Sequence, residues 1–440
     1  MIDYRNLKIA ILGGGTVGAN VVDLLTRHRS ELEARVGAGL EIVGVAVRDL
    51  GAERTPSIPA ELLTTDAASL VTSADIVVEL IGGIEPAKTL ILSALSAGAD
   101  VITANKALLA THGDELSAAA AQVGAQLYYE AAVAAAIPII RPLRESLAGD
   151  RVRRILGIVN GSTNYILDRM DTDGMSAEAA MAVASELGYL EADPTLDVEG
   201  YDAAQKAAIL ASLAFHTRIP IESVHREGIT AITGEQVAAA KAAGYVVKLL
   251  AIAERVSTSD GEGVVTRVHP ALVPRDHPLA AVHGGNNAVF VEAEFAGPLM
   301  FYGAGAGGVQ TASAVLGDIV SAARRHLAGG PGVQASTGAD LPILAFDKVS
   351  TRYQIALEVT DLPGVLAEVA NVFAEHGVSI EEASQSASQP SGLAGAEEPT
   401  ATLEVITHRA QEAALAATVA ALAESRAVRR VASVIRVEGL

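Results

Sequence analysis

An α/β fold with more than one domain is what this sequence predicts, and three observations predict it. Short apolar runs alternate with alanine-rich helical stretches from Leu7 to about Ile140. The first of these runs ends in the glycine cluster Gly13-Gly14-Gly15. The end of the chain, from about residue 351, follows the order strand, helix, strand, strand, helix, strand. Alternation of the first kind makes a parallel sheet with helices on both faces. At 440 residues the chain is too long for one ordinary core and suits two or three domains.

The first strands are expected at Lys8–Leu12, Glu41–Val47, Asp75–Leu80, Asp100–Ala104 and Gln126–Ala132. Their carboxyl ends line one crevice, the place where open α/β sheets bind ligands. From Arg151 the texture changes. Arg151, Arg153 and Arg154 lead into a strand at Ile155–Val159, and His269–Val273 and Ala288–Phe295 also read as strands. Ala328 to Lys348 is rich in Gly, Pro and Ala and lacks a periodic apolar face, so it reads as a linker. Beyond it, Gln354–Val359, Val378–Ser384, Ala401–Thr407 and Ala427–Val437 have strand patterns. Val365–His376 and Arg409–Ser425 have helical spacing, and Ala387 to Pro399 is a loop. That order is the ferredoxin-like plan.

Composition narrows the function. Half of the residues are hydrophobic, enough for large cores, and there is no cysteine. Disulfides, thiolate metal sites and cysteine nucleophiles are excluded together, and a cytoplasmic setting fits. A net charge of −20 argues against nucleic acid or an anionic membrane as a partner. The run Leu7–Leu12 is broken at once by glycines, so no signal peptide is expected. The run Ala131–Ile140 is closed by Glu130 and Arg141, well short of the roughly 20 residues a membrane helix needs. A soluble protein follows as the expectation.

Leu7 to Gly18 is a strand running into G-x-G-x-x-G, and Ala19 to Leu25 continues as a helix. Gly13 permits the tight turn, Gly15 lets a pyrophosphate approach the backbone, and Gly18 lets helix and strand pack. The helix start at Thr16 and Val17 faces the anion. Strand before and helix after make this a dinucleotide site rather than a chance motif. An NAD site usually carries an acid at the end of the second strand. Here Val47 is followed by Arg48 and then Asp49. Arg48 suits the 2′-phosphate of NADP, and Asp49 keeps NAD open.

The segment from Glu191 to Asp202 holds five carboxylates and runs into a helix whose one basic residue is Lys206. Asp202 and Lys206 are four apart and share a face. An exposed pair of this kind contributes only about 0.3–0.5 kcal/mol. The turns after Lys206 are apolar, which argues for burial and for a proton donor oriented by Asp202. Asp193, Asp197 and Glu199 read singly as members of a solvated acidic loop. Asn105-Lys106 follows the strand ending at Ala104, on the crevice side, where binding and a plain helix start are both open readings. Asn160-Gly-Ser162-Thr163-Asn164 is either a capping cluster or a hydroxyl-bearing substrate loop. Tyr302 to Gly308 is a second glycine-rich helix entry. The ten histidines show no metal-ligand spacing, and His216, His225 and His283 read as structural.

Taken together, these motifs resemble homoserine dehydrogenase of the monofunctional type with a carboxyl-terminal ACT domain. The likeness runs over nearly the whole chain and is carried by Gly13–Gly18, Thr103-Ala-Asn-Lys106, Glu130 to Ile137, Asn160–Asn164, Ala184 to Lys206 and Gly303 to Asp318. It implies hydride transfer from NADPH (NADH remaining open) to L-aspartate 4-semialdehyde, giving L-homoserine, on the route to threonine, methionine and isoleucine. It implies Lys206 as proton donor, Glu191 and Asp202 at the amino end of the substrate, and Lys106 at substrate and cofactor. Ser162 or Thr163 is implied at the substrate, with Thr103, Gly188 and Gly303 near the cofactor. A sodium ion on Glu130 and the carbonyls of Val133, Ala135 and Ile137 is also implied. So are L-threonine as effector of the ACT domain and a homodimer or homotetramer. Leu190 and Gln310 depart from the family's usual small residue and proline. No aspartokinase-like region is expected before Met1.

The implied division is a Rossmann-type domain at 1–140, a catalytic and dimerisation domain at 141–327, a linker at 328–350 and an ACT domain at 351–440. The end of the second segment is expected to pack back on the first domain. Two other readings remain at this point, a dehydrogenase for a different semialdehyde and a catalytically silent sensor of nucleotide and amino acid.

Overall fold

The structure is a computed structural model, and it describes residues 6–190, 193–259, 261–330, 338–387 and 399–439. The first unit carries strands β1 (Leu7–Leu12), β2 (Leu40–Ala46), β3 (Leu63–Thr64), β4 (Ile76–Glu79), β5 (Asp100–Thr103) and β6 (Leu127–Tyr128). Helices α1 (Thr16–Arg27), α2 (Arg29–Val36), α3 (Ala67–Thr72), α4 (Ala87–Ser96) and α5 (Lys106–Val123) alternate with them. The sheet is parallel, in the order β3-β2-β1-β4-β5-β6. Five of the six residues of β1 and all four of β4 are buried, as expected for strands covered on both faces. This is the doubly wound dinucleotide-binding plan.

The Gln126–Ala132 strand expected from sequence is cut to Leu127–Tyr128. The chain then turns at Glu130 into the short α6 (Ala131–Ala134). A short apolar run cannot be assigned to strand or buried helix by periodicity alone. Here the Glu130 carboxylate decides, because it gathers the N–H groups of Ile139, Ile140 and Arg141 and folds the run back on itself.

The second unit contains β7 (Val152–Ile158), α7 (Gly161–Asp173), α8 (Ala177–Glu186), α9 (Thr195–Val198), α10 (Tyr201–Phe215), β8 (His225–Arg226), α11 (Gly234–Ala242), β9 (Tyr245–Thr258), β10 (Gly261–Pro274), β11 (Asn286–Ala293), β12 (Gly297–Ala304) and α12 (Gly308–Ala328). Only Tyr201, Gln205 and Ser212 of α10 escape full burial. A helix apolar on all sides belongs in an interior, and α10 lies against α5, β9 and β10. α12 leaves this unit and packs on α1, burying Ala312, Val315, Ile319, Ala322 and Ala323 in the core of the first sheet.

The last unit runs β13 (Ser350–Thr360), α13 (Val365–Glu375), β14 (Ile380–Ala387), β15 (Thr400–Thr407), β16 (Ala410–Gln411), α14 (Glu412–Glu424) and β17 (Val428–Val437). The helix expected from Arg409 begins at Glu412, because Ala410 and Gln411 pair with Thr351 and Ser350. The described part of the expected linker is docked. Val264 donates to Pro342 O at 2.8 Å, and Leu344 donates to Val264 O at 2.9 Å. A Cβ at Gly263 would stand 2.7 Å from Pro342 O, so only glycine lets this segment lie on β10.

One sheet spans both later units, in the order β12-β11-β7-β9-β10-β17-β13-β15-β14. The joint is parallel pairing of Ala271 with Arg436 and of Leu272 with Val437. Glu438 N adds a bond to Leu272 O at 2.9 Å. The buried Glu438 carboxylate meets Arg267 at 2.8 Å and also Arg154. Among the described residues no helix is long and apolar enough to cross a membrane.

Candidate active site

The glycine-rich turn sits at the carboxyl end of β1. Gly13 has φ +106°, and a Cβ there would lie 2.7 Å from Leu80 O. A Cβ on Gly18 would lie 2.0 Å from Gly13 O. Both positions therefore exclude any side chain. A Cβ at Gly15 meets nothing within 4 Å, so the open side of the turn is at Gly15, the residue before Thr16 and Val17. Gly15 caps α1 with no side-chain acceptor, which leaves the first amides of the helix to an anion.

At the end of β2, Arg48 and Asp49 are exposed. Asp49 Oδ1 accepts from Gly51 N at 2.8 Å, so part of that carboxylate shapes its own turn. Sequence reasoning missed Arg54. Its Nε stands 3.0 Å from where a Cβ of Gly14 would be, and it donates to Ala52 O at 2.6 Å and to Asp49 O. Two arginines thus follow β2, and the Arg54 guanidinium stands beside the glycine turn. Nothing in the spacing signalled the second, which is brought in by the loop after β2.

The end of β5 is built by a chain of hydrogen bonds. Thr103 Oγ1 donates to Glu79 Oε2 at 2.6 Å and accepts from Asn105 N at 3.0 Å. Asn105 caps α5 by accepting from Leu108 N at 3.1 Å and ties Gly83 O at 2.6 Å. The Thr103 hydroxyl is therefore spent on shaping the strand end, and Lys106 is launched from it. Lys106 Nζ reaches Asp202 Oδ1 at 2.7 Å across the boundary between the two units.

Asp202 lies in the first turn of α10, after Gly200 in the left-handed region (φ +78°). Its Oδ2 accepts from Lys206 Nζ at 2.8 Å and from Asn160 Nδ2 at 2.9 Å. Lys206 Nζ also donates to Val159 O at 2.7 Å. Lys206 is 9% exposed and Asp202 7%. Burial alone would raise the Asp202 pKa, but the Lys206 and Lys106 ammoniums overcome it and hold the carboxyl well below its ordinary range.

Asp197 corrects the expectation of a solvated loop. It is half-buried and accepts from Asn160 Nδ2 at 2.6 Å. Burial and the neighbouring Asp202 charge push its pKa up. The turn of α9 folds it back over Asn160, a closure that linear spacing does not reveal. Glu199 accepts from Thr230 Oγ1 at 3.0 Å, and Asp193 caps its own turn at Thr195. Glu191 lies outside the described residues.

Around this group, Ser162 Oγ donates to Tyr189 O at 2.6 Å, fixing the turn that follows Gly188 (φ +77°). The Thr163 hydroxyl is buried and donates to Asn160 Oδ1 at 2.9 Å, and Asn160 Oδ1 also accepts from Thr163 N at 2.8 Å. The Thr163 hydroxyl and amide hold Asn160, and Asn160 joins Asp197 to Asp202. Gly303 lies on β12 opposite Asn287, and a Cβ there would come within 3.2 Å of Ile137 Cγ1.

The implied sodium ligands share one loop, in which Ala135 takes φ +49°. The Glu130 side chain does not fit an ion. Its Oε1 accepts from Ile139 N at 2.6 Å and Ile140 N at 2.7 Å, and its Oε2 from Arg141 N at 3.1 Å and Nε at 3.2 Å. A carboxylate has about four lone-pair positions, and all four are filled, one by a cation. Asp318 Oδ2 accepts Glu130 N at 2.9 Å, and its Oδ1 meets Arg141 at 3.0 Å.

The model described as "Homoserine dehydrogenase, NAD binding domain" matches residues 13–130, that for "Homoserine dehydrogenase" 138–320, and that for "ACT domain" 353–426. A homoserine dehydrogenase of Mycobacterium tuberculosis is 52% identical over 440 residues, 99% of each chain. The chain belongs to the homoserine dehydrogenase family. A crystal structure of a homoserine dehydrogenase from Thiobacillus denitrificans is 38% identical, with a TM-score of 0.89 over 99% of both chains. A hyperthermophilic archaeal homoserine dehydrogenase in complex with NADPH is 29% identical, with a TM-score of 0.62, covering 75% of this chain and 100% of that one. As a homoserine dehydrogenase, the protein is an NAD(P)-dependent oxidoreductase carrying an ACT domain.

Proposed function

We propose that this enzyme reduces L-aspartate 4-semialdehyde to L-homoserine, with NADPH preferred and Lys206 as the proton donor. The group at the domain boundary carries the reading. An ammonium has three donors. Lys206 spends one on Val159 O and one on Asp202 Oδ2, which leaves the third for a substrate oxygen. The chemistry supplied by a bound reduced nicotinamide is hydride transfer to the aldehyde carbon. Lys206 neutralises the alkoxide that forms by giving up its proton. Asp202 orients that ammonium and, with Glu191, receives the amino end of the substrate. Lys106 holds Asp202 from the cofactor side. Arg48 and Arg54 support NADPH over NADH, since a 2′-phosphate needs cations where the ribose lies. No step runs through sodium.

We infer that L-threonine binds the ACT domain and inhibits, which places the enzyme in synthesis of threonine, methionine and isoleucine in the cytoplasm. A mechanical link supports regulation. Arg436 on β17 meets Glu227 at 2.8 Å. Next to Glu227, Arg226 donates to Glu199 O and stacks 3.5 Å over the Tyr201 ring, at the start of α10. A homodimer or homotetramer is supported by β12, an end strand of the long sheet with Tyr302 55% exposed. The deciding assay is NADPH oxidation with aspartate semialdehyde, with and without millimolar threonine. No turnover sinks the reaction, and an unchanged rate and melting temperature with threonine sinks the effector.

A further inference from the structure

A cavity of about 600 Å³ lies between α5 and α10, beyond the group at Asp202. Its walls include Leu109 of α5 and Ile209 and Leu213 of α10. Arg144 also lines it and is 8% exposed. The guanidinium carbon stands 5.0 Å over the Tyr129 ring, and Nε is buried with no hydrogen-bond partner. Among the described residues Arg144 makes no ion pair, although its charge is felt by the buried Asp318 carboxyl. The nearby acids are committed elsewhere, Glu130 to the amides of residues 139–141 and Asp318 to Glu130 N and Arg141. At the rim, Asp114 and Arg218 satisfy each other at 2.7 Å.

A buried guanidinium nitrogen without a partner is costly, and Arg144 Nε calls for an acceptor. Its rigid fork matches a planar carboxylate. Arg218 is taken by Asp114 and the Glu222 carboxylate also lines the cavity, so the one lining cation without an ion pair suits a monoanion and leaves a dianionic phosphate half-neutralised. We propose that this cavity binds a small carboxylic acid with an apolar body. The carboxylate sits on Arg144 and the chain lies among Leu109, Ile209 and Leu213. The site is separate from the substrate group and from the ACT domain. It lies between the helix that begins with Lys106 and the helix that carries Lys206.

The test uses the full chain, with sodium hexanoate as the probe and hexanamide as the uncharged control, read by calorimetry. Gly113 provides a filling variant, because it lines the cavity and a Cβ there meets nothing within 4 Å. Gly113→Leu also removes a glycine from a helix interior, so it should fold. Hexanoate is expected to bind the parent at millimolar levels, and hexanamide at least about tenfold more weakly. Gly113→Leu and Arg144→Met should each weaken hexanoate by about tenfold or more. Absence of hexanoate binding, equal binding of hexanamide, or hexanoate that competes with homoserine and ignores Gly113→Leu overturns the proposal. Should Arg144→Met not fold, Gly113→Leu alone decides.

Discussion

Lys106 and Lys206 share one carboxylate. Asp202 takes Lys106 on Oδ1 at 2.7 Å and Lys206 on Oδ2 at 2.8 Å. The first lysine comes from the end of the nucleotide-binding sheet and the second from the central helix of the catalytic unit. A charge bridge between the two units therefore runs through the group proposed to move the proton.

Replacing the donor isolates its role. Lys206→Ala is expected to lower kcat by roughly a hundredfold to ten-thousandfold, the usual contribution of a positioned acid. NADPH affinity, read by nucleotide fluorescence, should stay nearly unchanged. Substantial residual turnover in the purified variant would falsify Lys206 as the acid.

Lys106→Met acts on the bridge without touching the donor. Lys106 is 41% exposed at its side chain, so its pairing is worth little to stability, about 0–1 kcal/mol. The loss should fall on kcat/KM, because Asp202 is no longer steadied from the cofactor side. Steady-state kinetics and a melting curve on the same sample test this. A large drop in melting temperature with normal kcat/KM would make the residue structural.

Cofactor choice should move with the two arginines that follow β2. The double variant Arg48→Ala, Arg54→Ala is expected to raise KM for NADPH by about tenfold or more, since a charged hydrogen bond contributes roughly 1.5–3 kcal/mol. KM for NADH should change little. An equal effect on both nucleotides points instead to a collapsed turn.

Stability should fall in mild acid through His269. Burial, then the Arg436 and Arg267 charges, lowers its pKa to about 3. The unfolded chain therefore takes up this proton first, near the ordinary pKa of about 6.5. Stability from the neutral ring is complete above that value and declines as pH drops toward 3. Between pH 7 and 5.5 the linkage amounts to about 1 kcal/mol for this group. Urea titrations at the two pH values, on the parent and on His269→Asn, should show a smaller loss in the variant. Identical losses remove His269 from the account.

The dinucleotide turn was readable because its physics is local. Gly13 needs a positive φ and Gly18 a bare backbone, and both demands appear as glycines at fixed spacing. Lys206 was readable because an apolar helix leaves a lysine nowhere to be solvated. Asp197 and Arg54 were not readable, since each enters its site through a turn whose direction depends on what it packs against. Thr163 and Ser162 carry the right chemistry for a substrate contact, yet both hydroxyls are taken by Asn160 and Tyr189 O. Only neighbours in space could decide that.

The sequence by itself determined the α/β class, the order of the three units, the cofactor turn and the Asp202–Lys206 face. All of these rest on propensity, periodicity or spacing within a few residues. Tertiary structure decided that Lys106 reaches Asp202, that Glu130 is saturated by Ile139, Ile140 and Arg141, that β17 joins the catalytic sheet, and that Arg144 faces a cavity. Each is a distance beyond the reach of local spacing, and such distances are set by packing.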